Sequence, residues 1–309
     1  MAERIDGRRI GRGRFLRELF KSLYSGTGDE IAAPLPYGKS LVHYTNLNTL
    51  IEIIKTDDLW MTDARYSNDR QEIVGGFTAV RKRIGSKLRK DRQFNALVDD
   101  WLTKREENRF YVTCFCTNSD LLSQWRAYGA DGEGINISLD GKMLSSICNL
   151  YRKIGTLILA PVVYRDDKKN DLVDKVLEFG RSLSVPPKTQ ARVISFALTV
   201  FAATFKSQTF EEEAEWRLLF VPVPTDSGST GAEVHFRARR DLLVPFVKLR
   251  AIGNALGASR FGMPRLPIKR VRLGPSVYPT GNSESVSLLL RKHGFKSVMV
   301  RQSKIPYRR

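Results

Sequence analysis

Apolar positions along the chain change period several times, and the changes mark the elements. Residues 15–24 set Phe15, Leu16, Leu19, Phe20, Leu23 and Tyr24 at helical spacing with Arg14, Arg17, Glu18 and Lys21 opposite, which predicts one short amphipathic basic helix. Two prolines within residues 33–38 read as a linker. Residues 41–45 then predict a strand, and Leu47, Leu50, Ile51 and Ile54 mark one face of a helix begun at the cap-forming Asn46. Asp57 and Asp58 break that helix, and residues 59–62 resume as a strand. Two basic helices are expected across residues 71–105. From residue 109 the pattern turns to β: a strand over 111–116, a short helix over 121–128, a glycine-rich turn over 129–134 and a strand over 135–139 with clean alternation.

Further strands are expected at residues 159–164, 215–221, 233–236, 246–249, 271–273 and 297–300, with helical patterns at 171–182, 188–206 and 283–293 between them. Strands and helices interleave without the rhythm of a doubly wound sheet, and no internal repeat is present. The pattern therefore predicts an α+β fold: a basic extension over residues 1–38 and one domain over 39–309, a mixed β core with helical insertions.

With 309 residues, 42% of them hydrophobic and 27% charged, the chain can bury a full core without disulfides or a structural metal. Cys114, Cys116 and Cys148 form an odd, sparse set that fits a reducing compartment, and no zinc-like ligand spacing accompanies them, so no metal is expected. No apolar stretch approaches the ~20 residues of a membrane span, and the N-terminus has no apolar signal core. Those features together predict a cytoplasmic protein. The net charge of +18, from 51 Lys plus Arg against 33 Asp plus Glu, attracts polyanions. Basic runs at 81–83, 87–90, 237–240 and 269–272 read as the footprint of a nucleic acid or an acidic protein, or as solvated faces.

Three clusters mix polar and aromatic groups at predicted strand ends. His43-Tyr44-Thr45 closes the first core strand, where an imidazole and hydroxyls can bind a ribose or an amide. A lone strand-end histidine is also a common structural residue. In the second cluster, Trp125 and Tyr128 are three apart on a helix beside a glycine-rich turn and share a face, suited either to the core or to stacking on a planar heterocycle. In the third, Glu213 and Glu215 are two apart at the entry of an apolar strand, so alternation sends both to one face. Paired carboxylates there serve catalysis or an ion pair with Arg217, which has the same parity.

These segments together resemble a known family. His43-Tyr44-Thr45, the Trp60 strand with Arg65-Tyr66-Ser67-Asn68-Asp69 and Glu72, the segment from Phe115 to Gly134, Glu213-Ala214-Glu215-Trp216-Arg217, Leu273-Gly274-Pro275 and the closing Ser303-Lys304-Ile305-Pro306-Tyr307-Arg308 are similar to the bacterial domain of unknown function 2971. The resemblance spans about residues 38–309, and it implies an ADP-ribosyltransferase-like fold acting on NAD. The wider group's serine-threonine-serine triplet is absent, and Phe115-Cys116-Thr117 stands in its place. On this resemblance Glu215 would offset the positive charge of an oxocarbenium-like centre, Glu213 would polarise an acceptor or water, and His43 would hold a ribose hydroxyl. Tyr44 and Thr45 would help bind the cofactor, Trp125 or Tyr128 would stack on nicotinamide, and Asn68 and Asp69 would contact phosphates or acceptor. The expected activity is ADP-ribosyl transfer to a nucleic acid or protein. Its rivals are an NAD glycohydrolase and a non-enzymatic binding module on the same scaffold.

Overall fold

Asn46 caps as its position predicts: its side chain accepts the Thr49 N–H at 2.9 Å and opens α1 (Leu47–Thr56), which ends where Asp57 turns left-handed at φ 50°. The structure, a computed structural model, describes residues 3–5, 8–10, 40–66, 70–107, 109–147, 150–152, 155–222, 232–239, 241–255, 265–275 and 279–307. The expected helix over 15–24, the linker, Asn68, Asp69 and Cys148 lie outside these residues.

Two short strands, β1 (Glu3–Ile5) and β2 (Arg8–Ile10), pair with each other as a separate two-stranded sheet among the described residues. The main sheet starts at β3 (Ser40–Thr45), passes through α1 to β4 (Trp60–Asp63), and yields to two helices, α2 (Arg70–Lys87) and α3 (Arg92–Glu107). Next come β5 (Tyr111–Cys116), α4 (Leu122–Tyr128), β6 (Ile135–Asp140), α5 (Gly141–Ile147), β7 (Leu150–Arg152) and β8 (Gly155–Pro161). A second helical excursion, α6 (Asp166–Arg181) and α7 (Pro187–Ala202), precedes β9 (Glu215–Pro222). The chain then forms β10 (His235–Arg239), β11 (Leu242–Lys248), α8 (Leu249–Ala255), β12 (Ile268–Leu273), α9 (Pro279–Lys292) and β13 (Met299–Gln302).

The fold is α+β, as the pattern predicts, with β3 to β13 in one mixed sheet. Its antiparallel pairings are broken by a parallel β12–β13 pair at one edge. Several boundaries depart from expectation. The strand expected at 159–164 runs over 155–161 instead, and the helix expected to reach 206 stops at Ala202. There Thr204 bonds Phe201 O in a turn, Val163 N donates to Thr204 O, and Lys206 N donates to Val163 O, which holds residues 204–206 beside 163. The apolar run had continued past the helix because these turn residues are buried too. Unpredicted short elements, α5, β7 and α8, are too brief for periodicity to register.

Strand β5 is where the sheet branches. One edge pairs with β9 along its whole length, from Tyr111 opposite Phe220 to Cys116 opposite Glu215. The other edge is shared: Tyr111 and Val112 pair with β4, while Cys116 alone pairs with β3 through Val42. Helices α2, α3, α6 and α7 cover one face, burying Phe77, Val98, Val176 and Phe201 over Val112, Leu219 and Ile158. α1 and α9 cover the other, with Leu50, Ile54 and Leu290 over Tyr111, Phe115 and Phe220. Each such large side chain contributes about 1.5–3 kcal/mol by leaving water. Among the described residues no helix is long and apolar enough to cross a membrane.

Candidate functional site

Between the two half-edges of β5, side chains take over from the ladder. Thr113 Oγ1 donates to Trp60 O at 2.8 Å, and His43 Nδ1 donates to Cys114 O at 2.9 Å. The His43 ring also meets Phe115 edge-on at 5.9 Å. Because a carbonyl only accepts, Nδ1 carries the proton, which leaves Nε2 as a lone pair. Burial is the main cause holding the imidazole below its ordinary value of 6.5; the Cys114 bond opposes it and the charge of Arg237 adds to it. His43 is therefore neutral at pH 7.

A cavity of about 70 Å³ opens beside this gap, lined by His43, Tyr44, Cys116, Gln124, Tyr128, Glu213 and Glu215 among others. It has room for one ring-sized group and not for a dinucleotide. Cys114, Cys116 and Glu215 share a sheet face by register. Glu213 does not: it ends a 3-10 turn (Gln208–Glu213), and Ala214 turns left-handed at φ 44° before the strand starts. The alternation that predicted one face for both carboxylates does not apply there. They meet instead at Lys206.

That meeting is a buried ion network. Lys206 Nζ lies 2.6 Å from Glu213 Oε2 and 3.1 Å from Glu215 Oε2, and it is only 3% exposed. Arg217, 1% exposed, donates Nε to Glu215 Oε1 at 2.7 Å, Nη1 to Ala203 O at 2.8 Å and Nη2 to Glu72 Oε2 at 3.0 Å. Three carboxylates against two cations leave one negative charge in excess among these residues. Burial pushes the Glu215 carboxyl up, but Arg217 and Lys206 outweigh it and hold it below the ordinary range. Cys116 goes the other way: burial, helped by Glu213 and Glu215, pushes its thiol up to about 12, so it stays protonated and donates to Asn118 O.

The aromatic pair of α4 is divided. Trp125 is fully buried, edge-on to Tyr44 at 4.7 Å with Nε1 donating to Asp120 Oδ1 at 2.9 Å, and does not line the cavity. Tyr128, one turn on, is half-buried and does line it. Tyr44 presents its ring while its hydroxyl donates to Asn118 O and accepts from Leu121 N, fixing the loop ahead of α4. Thr45 is buried in the β3–β6 ladder opposite Ile135, away from the cavity. The C-terminal segment closes this side, with Ile305 packed on the Val42, Tyr44, Cys116 and Trp125 cluster and Tyr307 donating to Asp131 Oδ1 at 3.0 Å.

The basic runs are less open than their charge suggests. Arg81 pairs with Asp99 and Glu106, and Arg83 and Lys87 with Asp174, so these cations bind α2 to α3 and α6. Lys269 and Arg272 pair with Asp140 and Asp120. Lys82, Arg89 and Lys90 remain exposed.

The structure thus brings together His43, Tyr44, Tyr128, Glu213 and Glu215. It adds Lys206, Glu72 and Gln124, which sequence reasoning had not assigned to the site. The signal in the sequence that could have found Lys206 is its place at the end of the apolar run over 193–205. In comparison with known proteins, residues 124–218 match a family of proteins of unknown function, DUF2971. The matched segment holds Tyr128, Lys206, Glu213, Glu215 and Arg217 and leaves His43 outside. Neither a curated protein nor a solved structure matches the chain.

Proposed function

We propose that the cleft takes the nicotinamide riboside end of NAD, on an ADP-ribosyltransferase-like core, and breaks its glycosidic bond to pass ADP-ribose to an acceptor. One observation carries the reading: a neutral imidazole from β3 and two carboxylates from the entry of β9 line one ring-sized cavity together with Tyr128. As the bond breaks, nicotinamide leaves with the electron pair and positive charge moves to the ribose. A preorganised negative group lowers that barrier. Glu215, held ionised by Arg217 and Lys206, is the fixed charge. Glu213 polarises the incoming hydroxyl or water and takes its proton, His43 Nε2 accepts from a ribose hydroxyl, and Tyr128 flanks the ring. Water as acceptor makes the same site a glycohydrolase. A nucleic acid or an acidic protein suits the exposed Lys82, Arg89 and Lys90 as acceptor.

The binding-module reading has a specific observation in its favour, since both oxygens of Glu215 are already taken by Arg217 and Lys206. The two are separated by incubating the protein with labelled NAD and a panel of RNA, DNA and protein, following nicotinamide release and label transfer. Turnover that falls about a hundredfold in Glu215→Gln, with NAD binding retained, supports the enzyme. A folded wild type that neither binds nor turns over NAD sinks it.

A further inference from the structure

Arg237 differs from the buried and half-buried arginines that hold an ion pair. Arg217, Arg250 and Arg272 each face a carboxylate. The half-buried Arg237 pairs with none among the described residues, its one hydrogen bond there being from Nη2 to Thr62 Oγ1 at 2.8 Å. Its guanidinium lies 5.5 Å from the Trp60 ring centroid and 6.0 Å from that of Phe246. Arg237 Nε and Trp60 Nε1, both groups that can only donate, are buried without an acceptor among the described residues. Burying a guanidinium without an anion is costly, and the two rings and Thr62 offset only part of that cost unless an anion arrives.

Register places this patch relative to the carboxylates. Thr62 pairs with Val112 and with Phe246, Phe246 with His235, and Arg237 leaves the same side of β10 as His235. Val112 shares its face of β5 with Cys114 and Cys116, which oppose Arg217 and Glu215. Arg237 and Glu215 therefore occupy one face of the sheet, with the gap that holds His43 between β3 and β4 near both. Burial lowers the Arg237 pKa and the neighbouring charge of Arg239 adds to it, so positive potential concentrates here. This face of the sheet is acidic at one end and cationic and aromatic at the other.

We infer that Arg237, with Arg239 beside it and Trp60 and Phe246 as walls, forms a subsite for a phosphoryl anion: the diphosphate of the dinucleotide whose ribose end enters the cavity. This rests on the NAD reading for the identity of the ligand and on the unpaired guanidinium for its chemistry. A molecule with a cationic ring at one end and a diphosphate further along matches the polarity along this face, and the 70 Å³ cavity requires the rest of such a molecule to lie outside it.

The test is calorimetric titration of the full chain with inorganic pyrophosphate, ADP-ribose and nicotinamide riboside, in wild type, Arg237→Gln and Arg237→Lys. Pyrophosphate and ADP-ribose should bind about tenfold or more weakly to Arg237→Gln, less so to Arg237→Lys, while nicotinamide riboside is unaffected. Without ligand, Arg237→Gln should melt at or above the wild-type temperature, because a charge only partly compensated has been removed. Unchanged pyrophosphate and ADP-ribose binding overturns the proposal, as does an Arg237→Gln variant that fails to fold, which would make the cation structural. So does a single-stranded oligonucleotide that binds through Arg237 while pyrophosphate does not. The two readings fail separately. Absent nicotinamide release with Arg237-dependent pyrophosphate binding removes NAD turnover and keeps the subsite, whereas NAD turnover with an unchanged KM in Arg237→Gln does the reverse.

Discussion

Arg217 Nε donates to Glu215 Oε1 at 2.7 Å across a single intervening residue, so one strand supplies both members of a buried ion pair. Alternation puts the two side chains on one face without any loop between them. The pair is extended from elsewhere: Glu72 reaches it from α2 and Lys206 from the turn after α7. The network that charges the cleft is also the joint between helices and sheet.

Arg217→Met should destabilise the protein by about 3–5 kcal/mol, since it leaves Glu72, Glu213 and Glu215 around Lys206 alone. Chemical denaturation measures it. The pH dependence has a defined sign. The folded pKa of Glu215 lies below its ordinary 4.5, so its stabilisation is complete above that pH and is lost as pH falls through the lower folded value. Arg217→Met should remove that part of the acid-unfolding curve.

Gly76 in α2 faces Ala202 at the end of α7, and an added Cβ would collide with the Ala202 carbonyl oxygen. Gly76→Ala should cost about 1–3 kcal/mol by prising the two helices apart. Glu72 lies one turn before Gly76, so the contact from Glu72 to Arg217 should loosen as well. A Gly85→Ala control, where nothing lies within 4 Å, should be neutral or stabilising in the same melting experiment.

His43 carries a pH signature of its own. Its folded pKa lies below 6.5, so the unfolded chain takes up the proton first. The stabilisation is complete above pH 6.5 and declines as pH falls through the folded value. His43→Gln should flatten the stability curve just below pH 6.5 and leave it unchanged at pH 8. If turnover is found, the same protonation should abolish the Nε2 acceptor and lower the rate over that window.

Asp120 gathers the C-terminal segment onto α4. Its Oδ1 accepts from Trp125 Nε1 and Ser303 Oγ, and its Oδ2 from Arg272 Nη1 and Lys304 N. Burial pushes its carboxyl up, but these donors outweigh it and hold it below the usual range. Asp120→Ala should cost about 1–3 kcal/mol and make residues 303–307 an early target of limited proteolysis. Cleavage there no faster than in wild type would count against this anchoring role.

Much of the local structure follows from the sequence because its causes are local. The Asn46 cap, the apolar runs of β5 and β9 and the proximity of Glu215 to Arg217 depend on residues a few positions apart. What tertiary structure decided is who meets whom. Trp125 and Tyr128 share a helix face by spacing, yet packing against Tyr44 buried the first and left the second at the cavity. Alternation was expected to send Glu213 to the face of Glu215, and a left-handed Ala214 set it in a preceding turn outside that alternation. Glu72 joins Arg217 across 145 residues, and β3 and β4 divide one edge of β5. Such encounters are set by long-range strand pairing and by the cost of burying charge unpaired, which no window of sequence contains.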